Sequence, residues 1–71
     1  MSRNIAILRV HKTIAGERAN TIRAWLQRRG VKPLTFLVRL EGEEFVVAIG
    51  FASPVDTQAL VAELGGEITD G

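Results

Sequence analysis

The hydrophobic and polar positions follow two different periods, and the changes between them divide the chain into six predicted elements. Alternation or a short β-rich apolar run indicates a strand, whereas apolar residues three and four positions apart indicate a helix. A glycine-containing turn at 41–43 separates two alternating runs and is typical of a hairpin. The predicted elements are a strand at 4–10, a helix at 13–29, strands at 33–40 and 45–51, a helix from Ser53 to Gly65, and a short strand at 67–69.

Both predicted helices carry residues that favour a defined start and stop. Thr13 is the predicted N-cap of the first helix, and Gly30 is its predicted left-handed end. In the second helix, Ser53 is the predicted N-cap and Pro54 takes the first helical position, where its missing N–H costs nothing. Gly65 ends this helix.

The succession of strand, helix, strand, strand, helix and strand is the βαββαβ pattern of a ferredoxin-like sandwich. Right-handed crossovers place both helices on one face of an antiparallel sheet. A chain of 71 residues is long enough for one domain only. Residues 1–71 are therefore predicted to form a single α+β domain.

The sheet face that the helices leave uncovered is predicted to be apolar. Alternation turns Phe36 and Val38 toward the helices, as it does the other aromatic residues of the sheet. A monomer seldom leaves a contiguous apolar patch in water, so we predict a protein interface there. The alternative is a partly exposed sheet without a partner. The predicted interface residues are Ile5, Ile7, Leu37, Val46 and Ala48, edged by Arg9 and Arg39.

Composition narrows the ways in which so short a chain gains stability. At this length about 60% of the unfolded surface is buried, so a lone core is marginal. The chain has no cysteine and one histidine, which excludes a disulfide framework and a thiolate metal site; no cofactor is predicted. Self-association remains, and a homodimer is expected. The short apolar runs and the absence of a secretory signal predict a cytoplasmic protein without membrane association.

The net charge of +1 hides a strong asymmetry along the chain. All nine lysines and arginines lie at or before Arg39, accompanied by the single acid Glu17, whereas the other seven acids lie after it. Such a split is compatible with a nucleic-acid face, with attraction between two copies, or with neutralisation inside one chain.

The first helix is the most basic element. Arg18, Trp25 and Arg29 fall close to one stripe of it, and tryptophan and arginine are common interface anchors. We therefore predict a partner contact at this stripe; the alternative is Trp25 in the core with arginine stems across it. Nucleic-acid binding through this helix is the alternative function. Base stacking on the sheet is disfavoured, because its aromatic residues face the helices.

No catalytic constellation is visible in the sequence. His11 and Thr13 are neighbours, but no acid is near enough to orient a general base. The paired glycines at Gly65 have no following basic residue or serine, so they do not resemble a phosphate loop. The protein is predicted not to be an enzyme.

Several segments resemble the ACT regulatory domain. The likeness rests on residues 5–10 leading into a turn at Gly16, and on residues 22–31, which resemble the family's helix ending in a basic residue, glycine and an aliphatic residue. Residues 51–54, followed by Leu60 and Leu64, are similar to the small regulatory subunits of acetohydroxyacid synthase.

The resemblance implies a function and a site. A likeness to ACT domains implies side-by-side dimers with one continuous sheet, and an amino-acid effector held at the interface by the first strand–helix turn. By that likeness His11, Lys12, Thr13 and Gly16 are the candidate ligand-binding residues. The predicted function is a non-catalytic regulatory or ligand-sensing module that acts through self-association or by binding a larger enzyme.

Overall fold

The computed structural model describes residues 4–69. It contains four strands, two α-helices and a 3-10 turn that the sequence pattern did not predict. The elements are β1 (Ile5–His11), the 3-10 turn (Lys12–Ile14), α1 (Ala15–Arg29), β2 (Thr35–Glu41), β3 (Glu44–Gly50), α2 (Pro54–Leu64) and β4 (Glu67–Thr69). The predicted α+β class, with an antiparallel sheet and two helices, is confirmed.

The strands form one antiparallel sheet in the order β2-β3-β1-β4. β1 and β3 are therefore central, and β2 and β4 are the two edges. The pairing brings Ala48 of β3 beside both Ile7 of β1 and Leu37 of β2. This register fixes which side chains share a face of the sheet, because successive residues of a strand point to opposite faces.

The hydrophobic core lies between the central strands and both helices. Ala6 and Ile49 are adjacent in the sheet and fully buried. Trp25 of α1 meets Phe51 edge to face, with ring centroids 6.4 Å apart. Thr57 of α2 is also buried, and its hydroxyl donates a hydrogen bond to the Ser53 carbonyl at 3.3 Å. The remaining core residues are Leu8, Ile22, Leu26, Val47 and Leu60.

Most of the predicted helix ends are confirmed, and one is wrong. Gly30 ends α1 with a φ of 66°, and the Ser53 hydroxyl accepts the Val55 N–H at the start of α2. Thr13 does not cap α1, which begins at Ala15. The His11 ring accepts the Thr13 N–H instead, at 3.2 Å, so the chain first makes a 3-10 turn.

β2 is not covered by the helices, which contradicts its predicted place over the core. Phe36 and Val38 share the helix side of the sheet with Ile49 and Val47, as predicted. Yet Phe36 is 44% exposed and Val38 is 55% exposed. The helices pack on this same face but are displaced toward the other edge of the sheet, over β1 and β4. The apolar side chains of β2 thus remain at the surface.

Within residues 4–69, no helix combines the length and the apolar character that a membrane crossing requires.

Candidate functional site

The most unusual surface of the molecule is the strand β2. All seven of its residues are exposed, including Leu37 at 67%, although most of them are apolar. β2 is also an edge strand, so one row of its backbone N–H and C=O groups has no partner in the sheet. We call the exposed side chains and free backbone of Thr35–Glu41 the β2 surface.

The hairpin register shows which backbone groups reach the free edge. Glu41 and Glu44 close a two-residue turn, so they exchange hydrogen bonds with each other. Every second residue of β2 then bonds to β3 in the same way. The N–H and C=O groups of the alternate residues, Phe36, Val38 and Leu40, point away from β3 toward the free edge.

An apolar groove of about 240 Å³ runs beside this strand on the helix side of the sheet. Its floor includes Phe36 and Val38 of β2, and its wall is the first two turns of α1. Three of the five α1 residues that line the groove are small, the other two being Arg18 and Ile22, and the helix leaves the space above β2 open. The small lining residues of α1 are Ala15, Gly16 and Ala19. We call this space the α1–β2 groove.

The interface that was predicted on the sheet face without helices is present in part. Ile5, Ile7 and Ala48 are half-buried there, and Leu37, beside Ala48, is exposed. The prediction is wrong for Val46, which is buried and cannot serve as an exposed contact.

The burial of Val46 follows from its neighbours in the sheet. It lies between Arg9 and Arg39 in the register of the three strands. Glu41 binds both arginines, Arg9 at 3.7 Å and Arg39 more closely. The three charged side chains are thus gathered over this end of the open face.

Trp25 is not an exposed interface anchor, contrary to the prediction. It is buried, and its indole N–H donates to the carboxylate of Glu63 on α2. The Arg29 guanidinium lies over the indole, 5.0 Å from the ring centroid, and 3.9 Å from the Asp56 carboxylate. The alternative interpretation of the stripe, an intramolecular one, is therefore correct for Trp25.

Arg18, at the other end of that stripe, is also engaged within the chain. Its guanidinium donates to the Leu64 carbonyl at 2.9 Å, near the C-terminal end of α2. A cation is favoured at that end of a helix, since the last carbonyl groups carry the negative end of the helix dipole. The predicted partner stripe thus mostly joins α1 to α2.

The four candidate ligand-binding residues do not line one site. Three of them are exposed, namely His11, Lys12 and Thr13. Lys12 lies beside the turn of the β2–β3 hairpin, where its N–H donates to the Glu43 carbonyl at 2.8 Å. The Thr13 hydroxyl lies 2.9 Å from the His11 ring. Gly16 lies farther along, in the α1–β2 groove.

Every ion pair among residues 4–69 joins a basic side chain at or before Arg39 to an acid that follows it. Glu43, for example, lies 3.6 Å from the Lys12 ammonium and 3.9 Å from the His11 ring. Neutralisation within the chain therefore accounts for a large part of the charge split. Arg23, Arg28 and Lys32 make no such pair with another described residue.

The described part of the chain offers no group of three or more histidine, cysteine or acidic side chains placed to hold a metal ion. No known protein family, characterised protein or solved structure matches the chain. The geometry of the β2 surface and the α1–β2 groove is therefore what supports a function.

Proposed function

We propose that the protein is a small non-catalytic interaction module that associates with a second copy of itself through the β2 surface. The same module then acts as a regulatory subunit or sensor, alone or bound to a larger enzyme. We also infer the ferredoxin-like arrangement, supported by the succession of elements and by β1 and β3 lying in the centre of the sheet.

One observation carries this proposal: β2 is exposed on both faces and along its free edge. Natural edge strands are usually protected by charge, proline, a bulge or shortness. The segment from Thr35 to Val38 has no charge and no proline. Arg39 and Glu41, in the second half of the strand, bind each other. The four apolar residues of this edge therefore favour pairing with another strand, since each new backbone hydrogen bond also brings apolar side chains together.

A charge placed on this edge tests the proposal. The variant Val38→Glu brings a carboxylate to the β2 surface, and we expect it to shift the protein from an associated state to a monomer. Val55→Glu is the matched control, because Val55 of α2 is 64% exposed and an acid is favoured in the first turn of a helix.

Light scattering over a range of concentrations measures the mass of each variant. Circular dichroism establishes that both variants are folded. A wild-type protein that stays monomeric at every concentration contradicts the proposal, as does equal association of the two variants.

The sensing part of the proposal is supported by the α1–β2 groove. Its lining is almost entirely apolar, so it suits the apolar side chain of an effector better than the charged groups of a free amino acid. A rise in the unfolding temperature with apolar amino acids, absent with polar ones, is the result expected of such a sensor.

Nucleic-acid binding through α1 is the second candidate function. It is favoured by the exposed Arg23, Arg28 and Lys32, which no described acid neutralises.

If the protein binds nucleic acid in this way, the affinity for an oligonucleotide falls steeply with salt, because phosphate contacts release counterions. Replacing both Arg23 and Arg28 by glutamine then weakens binding and flattens the salt dependence. We expect no measurable binding at physiological salt, since half of the described lysines and arginines are paired with acids within the chain.

A further inference from the structure

We propose that the free part of the β1 edge binds the C-terminal end of a partner polypeptide, through backbone hydrogen bonds to Arg9 and an ion pair with Arg18. This site lies where β4 stops short of the end of β1, along residues 8–11, and we call it the β1 edge gap. It is separate from the β2 surface, and its test does not depend on association through β2.

β4 covers less than half of the β1 edge. It pairs with Ile5, Ala6 and Ile7, although β1 continues to His11. On its other side, β1 pairs with β3 along all seven of its residues. Residues 8–11 therefore have a neighbouring strand on one side only, within a strand that is otherwise central.

The hydrogen bonds beyond the two ends of β1 show which of its residues bond to β3. The Lys12 N–H donates to the Glu43 carbonyl, and the Phe51 N–H donates to the Asn4 carbonyl, both at 2.8 Å. Hydrogen-bonded and non-bonded pairs alternate along an antiparallel ladder. The even-numbered residues of β1 therefore bond to β3, and the odd-numbered residues present their backbone groups to the opposite side.

The backbone groups that reach the gap follow from this alternation. The Ile7 carbonyl agrees with it, because a Cβ atom on Gly66 would lie 2.5 Å from the Ile7 oxygen, on the β4 side. The N–H and C=O groups of Arg9 and the N–H of His11 thus face the gap. Among residues 4–69 they meet no backbone partner there.

A cavity of about 220 Å³ at the gap adds a cation to these backbone groups. Its lining includes Arg18 of α1 together with Leu8, Arg9 and Gly66. Arg18 is half-buried, and its guanidinium donates to the Leu64 carbonyl at 2.9 Å. No acid among residues 4–69 forms an ion pair with it. Since a guanidinium carries five N–H donors, Arg18 retains donors for an anion at this site.

The acid that also lines this cavity lies on the other face of the sheet. Glu67 is directly opposite Ile7, so its side chain shares the face without helices. Arg18 enters the cavity from α1, on the helix side. A carboxylate that approaches on the helix side therefore meets the guanidinium and not the acid.

A polypeptide that runs antiparallel to β1 fits the gap with its last residue opposite Arg9. Its last N–H donates to the Arg9 carbonyl, and one oxygen of its terminal carboxylate accepts the Arg9 N–H. The carbonyl two residues earlier accepts the His11 N–H. The second carboxylate oxygen takes the place of a following residue opposite Leu8, whose side faces the helices, and Arg18 lines the cavity there.

The gap selects a C-terminal chain end. An internal segment cannot continue along the edge, because Glu67 already pairs with Ile7 there. A chain in the parallel direction would bring its amino terminus beside Arg18, where two positive charges repel each other. A nucleic-acid backbone supplies acceptors for Arg18 but no N–H donor for the Arg9 carbonyl. The observations therefore favour a peptide carboxylate.

Hydrogen exchange of the protein alone tests whether the edge is free. The Leu8 and Val10 amides bond to β3, so they are expected to exchange slowly. We expect the Arg9 amide to exchange roughly tenfold faster or more, because it has no partner in the sheet. Equal protection of the three amides would overturn the gap.

Titration with the peptide acetyl-Ala-Ala-Ala-Val, followed by nuclear magnetic resonance, tests binding. This probe is sufficient because the proposed contacts use the peptide backbone and the carboxylate. We expect saturable shifts of the Arg9 and His11 amide signals. The same peptide with an amidated C-terminus is expected to bind roughly tenfold more weakly, since it lacks the charge that pairs with Arg18.

The variant Arg18→Gln tests the ion pair. It removes the charge but keeps an N–H donor for the Leu64 carbonyl, and we expect roughly tenfold weaker binding of the free-acid peptide. Binding of the amidated peptide should change little. Arg23→Gln is the matched control, because Arg23 is an exposed arginine of the same helix without a described acid partner. Circular dichroism establishes that both variants are folded.

Three results would overturn the β1 edge gap. The first is equal affinity for the free-acid and amidated peptides, or equal affinity of the two variants for the free acid. The second is the absence of a saturable shift at millimolar peptide. The third is a set of shifts at Phe36 and Val38 instead of Arg9, which would move peptide binding to the β2 surface and leave the proposed function intact.

Discussion

At the scale of single residues, Gly66 is the position least able to accept a side chain. It joins α2 to β4 with a φ of 105°, a backbone conformation that favours glycine. A Cβ atom built there lies 2.5 Å from the Ile7 carbonyl oxygen, and this backbone atom cannot move without disturbing β1. Gly66 therefore allows β4 to approach the central strand closely.

Replacing Gly66 by alanine is expected to cost more stability than the same change at Gly42. Gly42 also has a positive φ, 63°, but its Cβ would meet nothing within 4 Å. We expect a loss of about 1–2 kcal/mol for Gly42→Ala from backbone conformation alone. Gly66→Ala adds the clash with Ile7, giving a loss of roughly 3 kcal/mol or more.

Urea denaturation followed by the fluorescence of Trp25, the only tryptophan, measures both losses in the free energy of unfolding. Equal losses for the two variants would contradict the proposed close approach at Gly66.

At the scale of elements, local signals predicted most of the secondary structure. Ser53 followed by Pro54 marks the start of α2, and Gly30 marks the end of α1, because caps act through the few residues around them. The start of α1 was not predictable in the same way. Thr13 has the right chemistry for a cap, but the His11 ring at the end of β1 accepts the Thr13 N–H, and Thr13 becomes part of the 3-10 turn that precedes α1.

The position of a helix over a sheet is a longer-range property, and here the sequence pattern was insufficient. Alternation correctly placed Phe36 and Val38 on the helix side, but it carries no information on whether a helix covers them. The small residues at Ala15, Gly16 and Ala19 were the available signal, since a helix that begins with mostly small side chains toward a strand leaves a groove above it.

The candidate site was predictable only in outline for the same reason. Contact with another chain was predicted through the open face and the α1 stripe. The structure leaves Leu37 exposed but buries Val46 and Trp25, and it adds the helix side of β2. The stripe of Arg18, Trp25 and Arg29 was found from helical spacing, yet its contacts with α2 depend on how the two helices meet.

At the scale of the whole molecule, the core is small and lies on one face of the sheet. It joins β1 and β3 to the two helices, and β2 is attached to it mainly through its pairing with β3. Ion pairs within the chain engage half of the described lysines and arginines, which neutralises part of the charge split. If a second copy covers β2, association and folding stability are therefore linked through apolar and backbone contacts.

This linkage predicts that the unfolding temperature depends on protein concentration. A partner that binds only the folded state stabilises it by about 2.7 kcal/mol at a hundred times the dissociation constant. For a domain of this size that corresponds to a rise in the unfolding temperature on the order of 10 °C. Val38→Glu should abolish the dependence while Val55→Glu retains it, in calorimetry or circular dichroism scans over a hundredfold range of concentration. A wild-type midpoint that does not move over that range would mean that β2 is stable in water without a partner.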